Sequence, residues 1–221
     1  MIDKTKPNPG YGNSLEVVQS STQYVTKYGT VATQCSNNSR LLFTERLNKV
    51  RNGLFVEIGV WGGATLLSNY DLCKTNNIKI YGIDPFEEIS IFNGQSYDDT
   101  GKALADKCRD YARQRRINLE HIINSHNLSI NILKENSAVA ANSFEDNSID
   151  LLHIDGDHSF DGVTKDLELY FQKIKSGGCI INDDYNWPCC KSAIDQFVIR
   201  NQEAIVSSYS PISNKHLIVK K

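Results

Sequence analysis

The stretch that decides the fold is "GLFVEIGVWGGATLLSNYDLCKTNNIKIYGIDPF", residues 53–86. Its opening run, residues 53–60, is apolar and closed by glycine, as a short buried strand is. A glycine turn follows, then "WGGATLLSNYDLCKT", which reads as a helix. A second apolar run, "IKIYGIDPF" (78–86), is stopped by Asp84-Pro85. Strand, glycine turn, helix and strand make a βαβ unit. Parallel neighbours need such a crossover, so the unit predicts a parallel sheet.

The same alternation continues outward. "SINILKENS" predicts a third strand and "AVAANSF" a short helix; "SIDLLHID" (148–155) predicts a fourth strand and "DGVTKDLELYFQKIK" a helix. "GGCIINDDY" (177–185) predicts a fifth strand, followed by a helix from Pro188 to Asn201. "AIVSSYS" and "KHLIVKK" are strands joined by a short link, which predicts an antiparallel edge hairpin. Upstream, residues 14–51 read as helical in pieces, with Leu41, Leu42, Phe43 and Leu47 at helix spacing, after a loose arm at 1–14 rich in Pro, Gly and Asn. Residues 87–101 read as a loop. Residues 102–125 read as a helix whose Lys102, Lys107, Arg109, Arg113, Arg115 and Arg116 form a solvated face. The expected fold is a three-layer α/β, Rossmann-like, doubly wound sheet, mostly parallel, with an antiparallel C-terminal edge hairpin. Residues 1–50 are expected to form an N-terminal arm and helices, and residues 51–221 the main domain.

The bulk numbers set outer bounds. With 221 residues, 40% hydrophobic, 23% charged and a net charge of −2, the chain reads as a soluble globular protein. No basic field points to nucleic acid or an anionic membrane. No apolar run reaches the roughly 18 residues of a spanning helix. The polar N-terminus shows no signal-peptide pattern, so a cytoplasmic protein is expected. Cys35, Cys73, Cys108, Cys179, Cys189 and Cys190 have no CxxC or zinc spacing, which favours free thiols in a reducing compartment. Self-association into a homo-oligomer is compatible with all of this.

In open parallel sheets ligands bind beyond the carboxyl ends of the strands. Every unusual polar cluster here lies at such an end: Glu57, Gly59 and Gly63 after strand one, Asp84 after strand two, Asp155 to His158 after strand four, Asp183-Asp184 after strand five. The glycine turn lets backbone approach a ligand and leaves free N–H groups at a helix start. It is not GxGxxG, and Glu57 just before it suits a cationic ligand better than a pyrophosphate. Asp84 is placed to accept hydrogen bonds from ribose hydroxyls. "LLHIDGDHSF" (151–160) crowds His153, Asp155, Asp157 and His158 together. On its own that string fits a metal site, a proton-transfer site or a solvated turn. His153 shares a strand face with Asp155 and reads as a packed or hydrogen-bonded histidine, and Asp157 as a turn or cap residue.

"FVEIGVWGGAT", "YGIDPF" and "DLLHIDGDHSFDGVTKDLELYFQKIKSGGCIINDDY" resemble the class I S-adenosylmethionine-dependent methyltransferases, in the metal-dependent O-methyltransferase branch that includes macrocin-type and catechol-type enzymes. The resemblance covers roughly residues 50–200, and it makes residues 51–221 a cofactor-binding methyltransferase domain. It implies that Glu57, Gly59 and Gly63, with Thr65 nearby, hold the methionine part of S-adenosylmethionine. Asp84 would hold the ribose, Ser137 would lie by the adenine, and Asp155 would border the cofactor. Asp155, Asp183 and Asp184 would be the metal ligands, although this Asp-Asp pair stands where the family often has Glu-Asp or Asp-Asn.

Methyl transfer to a hydroxyl needs the hydroxyl aligned and deprotonated. A divalent cation helps with both, and carboxylates are hard ligands suited to Mg²⁺. His158, three residues past Asp155, stands where the family places a proton acceptor, and histidine suits that task near neutral pH. The implied acceptor is a small-molecule hydroxyl, with a sugar or glycan favoured by the polar rim and the macrocin-type resemblance; Tyr24, Tyr28, Phe92 and Tyr97 are expected around it. The rivals are a metallo-hydrolase, whose HxHxDH pattern is broken at Asp155, a nicotinamide dehydrogenase, which would want GxGxxG, and a non-catalytic binding module on the same fold.

Overall fold

The computed structural model describes residues 22–33, 37–86 and 99–221 of the chain. The predicted arm at 1–14, Cys35, and residues 87–98 with Phe92 and Tyr97 lie outside the described residues.

The first described element corrects an expectation. Helical pieces are predicted across residues 14–51, but an antiparallel hairpin, β1 (Thr22–Thr26) and β2 (Gly29–Thr33), precedes helix α1 (Asn37–Leu47). The stretch "TQYVTKYGTVAT" is rich in β-branched and aromatic residues with glycine at the turn, which favours strands. The apolar positions that suggest a helix all fall within α1, where Leu42, Phe43 and Leu47 are buried. Tyr28 lies edge-on to Tyr70 with centroids 5.6 Å apart, and Tyr24 stacks under the Arg40 guanidinium at 3.9 Å. Lys27 pairs with Asp71 at 2.9 Å. Both tyrosines are thus engaged in packing the hairpin.

The βαβ unit forms as predicted, from β3 (Leu54–Ile58), α2 (Ala64–Thr75) and β4 (Lys79–Ile83), with β3 and β4 parallel. Next come α3 (Asp99–Ser125), β5 (Ile130–Leu133), the short α4 (Ser137–Ala140), β6 (Ile149–Ile154) and α5 (Phe160–Phe171). The chain ends with β7 (Ile174–Asn182), α6 (Pro188–Arg200), β8 (Ile205–Ile212) and β9 (Lys215–Lys220). The seven-stranded sheet has the order β5-β4-β3-β6-β7-β9-β8. Pairing is parallel from β5 to β7 and antiparallel at β9 and β8. The expected three-layer fold and edge hairpin are what the chain adopts. Strand order reverses between β4 and β6 on either side of β3, so the crevice for a ligand lies above β3.

Alternating residues of each strand feed two cores. Phe55, Leu151, Ile181 and Leu217 face one layer with Phe43, Leu66 and Leu119; Val56, Leu152, Ile180 and Ile218 face the other with Leu167, Tyr170 and Phe197. Two positions on the first face break the apolar pattern: Glu57 and His153, which the parallel register sets side by side. They are only 2% and 1% exposed. Arg115 also departs from expectation. It belongs to the run read as a solvated face, but it is buried, with its guanidinium 3.1 Å from the Trp61 ring centroid. A charge run marks a helix face, not its depth, and a guanidinium is readily buried against an indole. Cys73, Cys179, Cys189 and Cys190 are free thiols. Among the described residues no helix is long and apolar enough to cross a membrane.

Candidate functional site

The site is built on the turns that leave β3, β4, β6 and β7. Gly59 adopts φ 83°, and a Cβ there would meet the Asp155 carbonyl oxygen at 1.9 Å. Only glycine lets these two turns touch. Gly63 caps α2 at φ 81°, where a Cβ would lie 2.5 Å from Leu119. Thr65 is buried in the first turn of that helix.

Asp84 closes the neighbouring turn. Its Oδ2 accepts the Trp61 N–H at 3.0 Å and its Oδ1 the Phe86 N–H at 2.8 Å. Burial pushes its carboxyl up, against the pull of those N–H groups and the Arg115 charge. Each carboxylate oxygen keeps a lone pair for a further donor. The Trp61 backbone, at φ 54°, is the link between the glycine turn and Asp84, and its ring lies against Tyr111 and Arg115.

Below the rim runs a buried ionic chain. Glu57 Oε1 lies 2.8 Å from His153 Nδ1, His153 Nε2 lies 3.6 Å from Asp183 Oδ2, and that oxygen also pairs with Lys215 Nζ. Lys215 is 1% exposed. The antiparallel register pairs Asn182 with His216, which sets Lys215 against Asp183. Burial lowers the His153 pKa, but the neighbouring Asp183 and Glu57 carboxyls outweigh it and push it up to about 9. Burial likewise pushes Glu57 up, while the Asp183 carboxyl is held well below its usual range by His153 and Lys215 in spite of burial. Two basic side chains, His153 and Lys215, thus alternate with two acidic ones, Glu57 and Asp183. Glu57 Oε2 is buried with no hydrogen-bond partner among the described residues. An orphaned carboxylate oxygen at this depth fits a cationic ligand group.

Above that chain, His158 Nε2 sits 3.3 Å from Asp155 Oδ1 and 3.4 Å from Asp184 Oδ2. Its ring lies against Trp187 at 5.2 Å, and its carbonyl accepts the Cys190 thiol. Asp184 holds φ 49°, a costly conformation for a non-glycine residue. Ser159 accepts the Gly162 N–H as the N-cap of α5, and Asp157 Oδ1 accepts the Ser159 N–H, so Asp157 is a turn residue as expected. Ligand atoms of Asp155, His158 and Asp184 all lie within 4.8 Å of one another, as do those of His153, Asp155 and Asp183. The donor set fits a hard divalent cation at Asp155 and Asp184. Asp183 has one oxygen committed to Lys215; its Oδ1 accepts the Asp184 N–H at 2.7 Å.

Ser137 stands at the start of α4, after β5. Its hydroxyl donates to Asp166 Oδ1, and its carbonyl accepts the Tyr170 hydroxyl at 2.7 Å. Burial pushes the Asp166 carboxyl up to about 6. Every predicted site residue thus lies at or just below one rim. Sequence reasoning missed Lys215, Arg115, Trp61 and Asp166. Only Asp166 had a visible signal, as the acidic residue one helical turn before Tyr170 on the buried face of a predicted helix.

The sequence model of a family described as "Methyltransferase domain" matches residues 56–185, more than half of the chain. Among solved structures, the O-methyltransferase NovP is similar with a TM-score of 0.66 and 18% identity, covering 86% of this chain and 82% of that one. An SAH-bound methyltransferase of Podospora anserina gives 0.59 and 13%, over 85% of this chain and 80% of that one. CalS11, a TDP-rhamnose 3'-O-methyltransferase, gives 0.50 and 14%, over 82% and 77%. At such identities the likeness speaks to the fold. A stretch of 67 residues is 39% identical to an uncharacterized protein of Acanthamoeba polyphaga mimivirus, spanning 28% of this chain and 30% of that protein.

Proposed function

The chain belongs to the methyltransferase-domain family, and from that premise we propose that it moves the methyl group of S-adenosylmethionine onto a hydroxyl of a small molecule, most favourably a sugar or glycan. The observation that carries this reading is the ordering of polar groups along one rim. An orphaned carboxylate oxygen on Glu57, the Asp84 carboxylate and the Ser137 turn succeed one another on one side, and Asp155, His158 and Asp184 stand on the other.

Each group then has a task. Glu57 takes the cofactor's amine, and the glycine turn at Gly59 and Gly63, with Thr65, lies along its methionine part. Asp84 takes the ribose hydroxyls, and Ser137 borders the adenine, with Asp155 between cofactor and acceptor. In the transfer the acceptor oxygen attacks the methyl carbon in line, the carbon–sulfur bond breaks, and its electron pair stays on sulfur. His158 Nε2 takes the hydroxyl proton. Asp155 and Asp184, with Asp183 braced beneath them by Lys215 and the Asp184 N–H, would hold Mg²⁺ or another hard divalent cation, which when bound lowers the hydroxyl pKa and fixes the oxygen. The described part of the N-terminal segment, the β1–β2 hairpin and α1, is assigned to the acceptor side. The sugar preference is supported by the polar rim and by the similar fold of CalS11, a TDP-rhamnose 3'-O-methyltransferase.

Labelled methyl transfer tests the reading on a panel of nucleotide sugars, glycans and catechols. Label should enter a sugar with Mg²⁺, stop with EDTA and return when Mg²⁺ is restored. Full transfer in EDTA would remove the cation from the reaction. Cofactor binding with no acceptor labelled would favour a binding module.

A further inference from the structure

We propose that His153 is a positioning residue: it holds one oxygen of the Glu57 carboxylate so that the other stands ready for the cofactor's amine. The inference rests on the S-adenosylmethionine reading above and adds to it a residue that acts only through Glu57.

The two residues stand where an apolar pair belongs. Glu57 and His153 are register partners on β3 and β6, on the face that Phe55, Leu151 and Ile181 otherwise keep apolar. Two aliphatic side chains would fill these places without taking ionisable groups out of water, so stability does not require the pair. Nor is the pair complete in itself. Glu57 Oε1 meets His153 Nδ1 at 2.8 Å, while Oε2 is buried without a hydrogen-bond partner among the described residues. A carboxylate that is to meet a cation must be ionised, so the ring nitrogen facing it carries the proton and donates it.

The imidazole is itself held in place. The Phe43 ring packs edge-on against it with centroids 4.6 Å apart, and Phe43 is fully buried. On the far side, Nε2 lies 3.6 Å from Asp183 Oδ2, and Lys215 secures that oxygen from β9. A glutamate side chain has three rotatable bonds, and ordering it at the moment of binding costs affinity. Contact with a ring that is clamped between α1 and β7 orders Glu57 beforehand. Fixing Oε1 fixes where Oε2 stands, and a charge-assisted hydrogen bond is strong only when its geometry is set.

Calorimetry in EDTA separates positioning from scaffolding, with S-adenosylhomocysteine and its analogue in which hydrogen replaces the α-amine. The wild-type protein should prefer the amine by on the order of 10- to 100-fold, the scale of one hydrogen bond to a charged group. Glu57→Gln should reduce that preference to within about threefold. His153→Leu should do the same while binding the desamino compound as wild type does, and combining the two changes should cost nothing further. His153→Asn sets an amide nitrogen where Nδ1 stands and should keep most of the preference. His153→Gln sets it where Nε2 stands and should not. Either a wild-type ratio in His153→Leu, or equal weakening of both compounds, would overturn the proposal and leave His153 a scaffold residue. Should His153→Leu fail to fold, equal ratios in His153→Asn and His153→Gln would overturn it. Equal binding of the two compounds by wild type would remove the amine contact, and this proposal with it, and leave the cofactor reading standing. No binding of either compound by the folded wild-type protein would overturn the cofactor reading itself.

Discussion

Replacing His158 by alanine should lower methyl-transfer turnover by roughly 10²- to 10⁴-fold, the scale for loss of a general base, while S-adenosylhomocysteine binding barely changes. Helix capping does not explain this residue, because Ser159 is the cap of α5. His158→Asn keeps the polarity but removes the proton acceptor, and it should lose the same rate. A near-normal rate in His158→Asn would take His158 out of the chemistry. The imidazole acts only when neutral, so the rate rises with pH. Burial lowers its pKa, but the hydrogen bond to Asp155 and the charges of Asp155, Asp184 and Asp183 push it up to about 9. A cation held by those carboxylates would offset their charge and return the ring toward its ordinary value near 6.5. Proton NMR of the His158 ring should show its titration midpoint fall on adding Mg²⁺. An unchanged midpoint would mean that no cation binds beside it.

Lys215→Ala should destabilise the protein by about 3–5 kcal/mol, the cost of leaving one partner of a buried ion pair alone. The variant strands the Asp183 carboxylate beneath the rim with only His153 to balance it. Asp183 is held below its usual range, so its contribution is fully present above the unfolded carboxyl pKa near 3.9 and is lost as pH falls through the lower folded value. Urea denaturation at neutral pH should show the full loss, and the gap between wild type and variant should narrow in acid. Asp183→Asn combined with Lys215→Met should recover part of the stability, because the two changes are coupled. A loss below about 1 kcal/mol in Lys215→Ala would mean that the pair is not a buried ionic contact.

The parallel sheet was legible because its signals are local. The runs around Phe55, Ile80 and Leu152 are apolar and bounded by Gly59, Asp84 and Asp155, and β3, β4 and β6 formed where expected. The strand ends also revealed Asp84, Asp155, Asp183 and Asp184, since polar residues closing buried strands stand out in any chain. The hairpin at Thr22–Thr33 was hidden because Leu41 to Leu47 gave a helix signal that was extended too far upstream. Lys215 could not be read at all. It opens a strand whose partner is fixed only by the antiparallel register of β9 on β7. Glu57 and His153 are 96 residues apart in sequence, and only parallel pairing makes them neighbours. Arg115 was concealed inside a run of basic residues, where spacing does not tell which one turns inward toward Trp61.

Calorimetric titration of the wild-type protein and Asp84→Ala with S-adenosylhomocysteine and with NADH tests the central claim most directly. Wild type should bind S-adenosylhomocysteine, and Asp84→Ala should bind it more weakly by about 1–3 kcal/mol, the scale for losing charge-assisted hydrogen bonds to the ribose. NADH binding tighter than S-adenosylhomocysteine binding, or affinity for S-adenosylhomocysteine unaffected by Asp84→Ala, would contradict it.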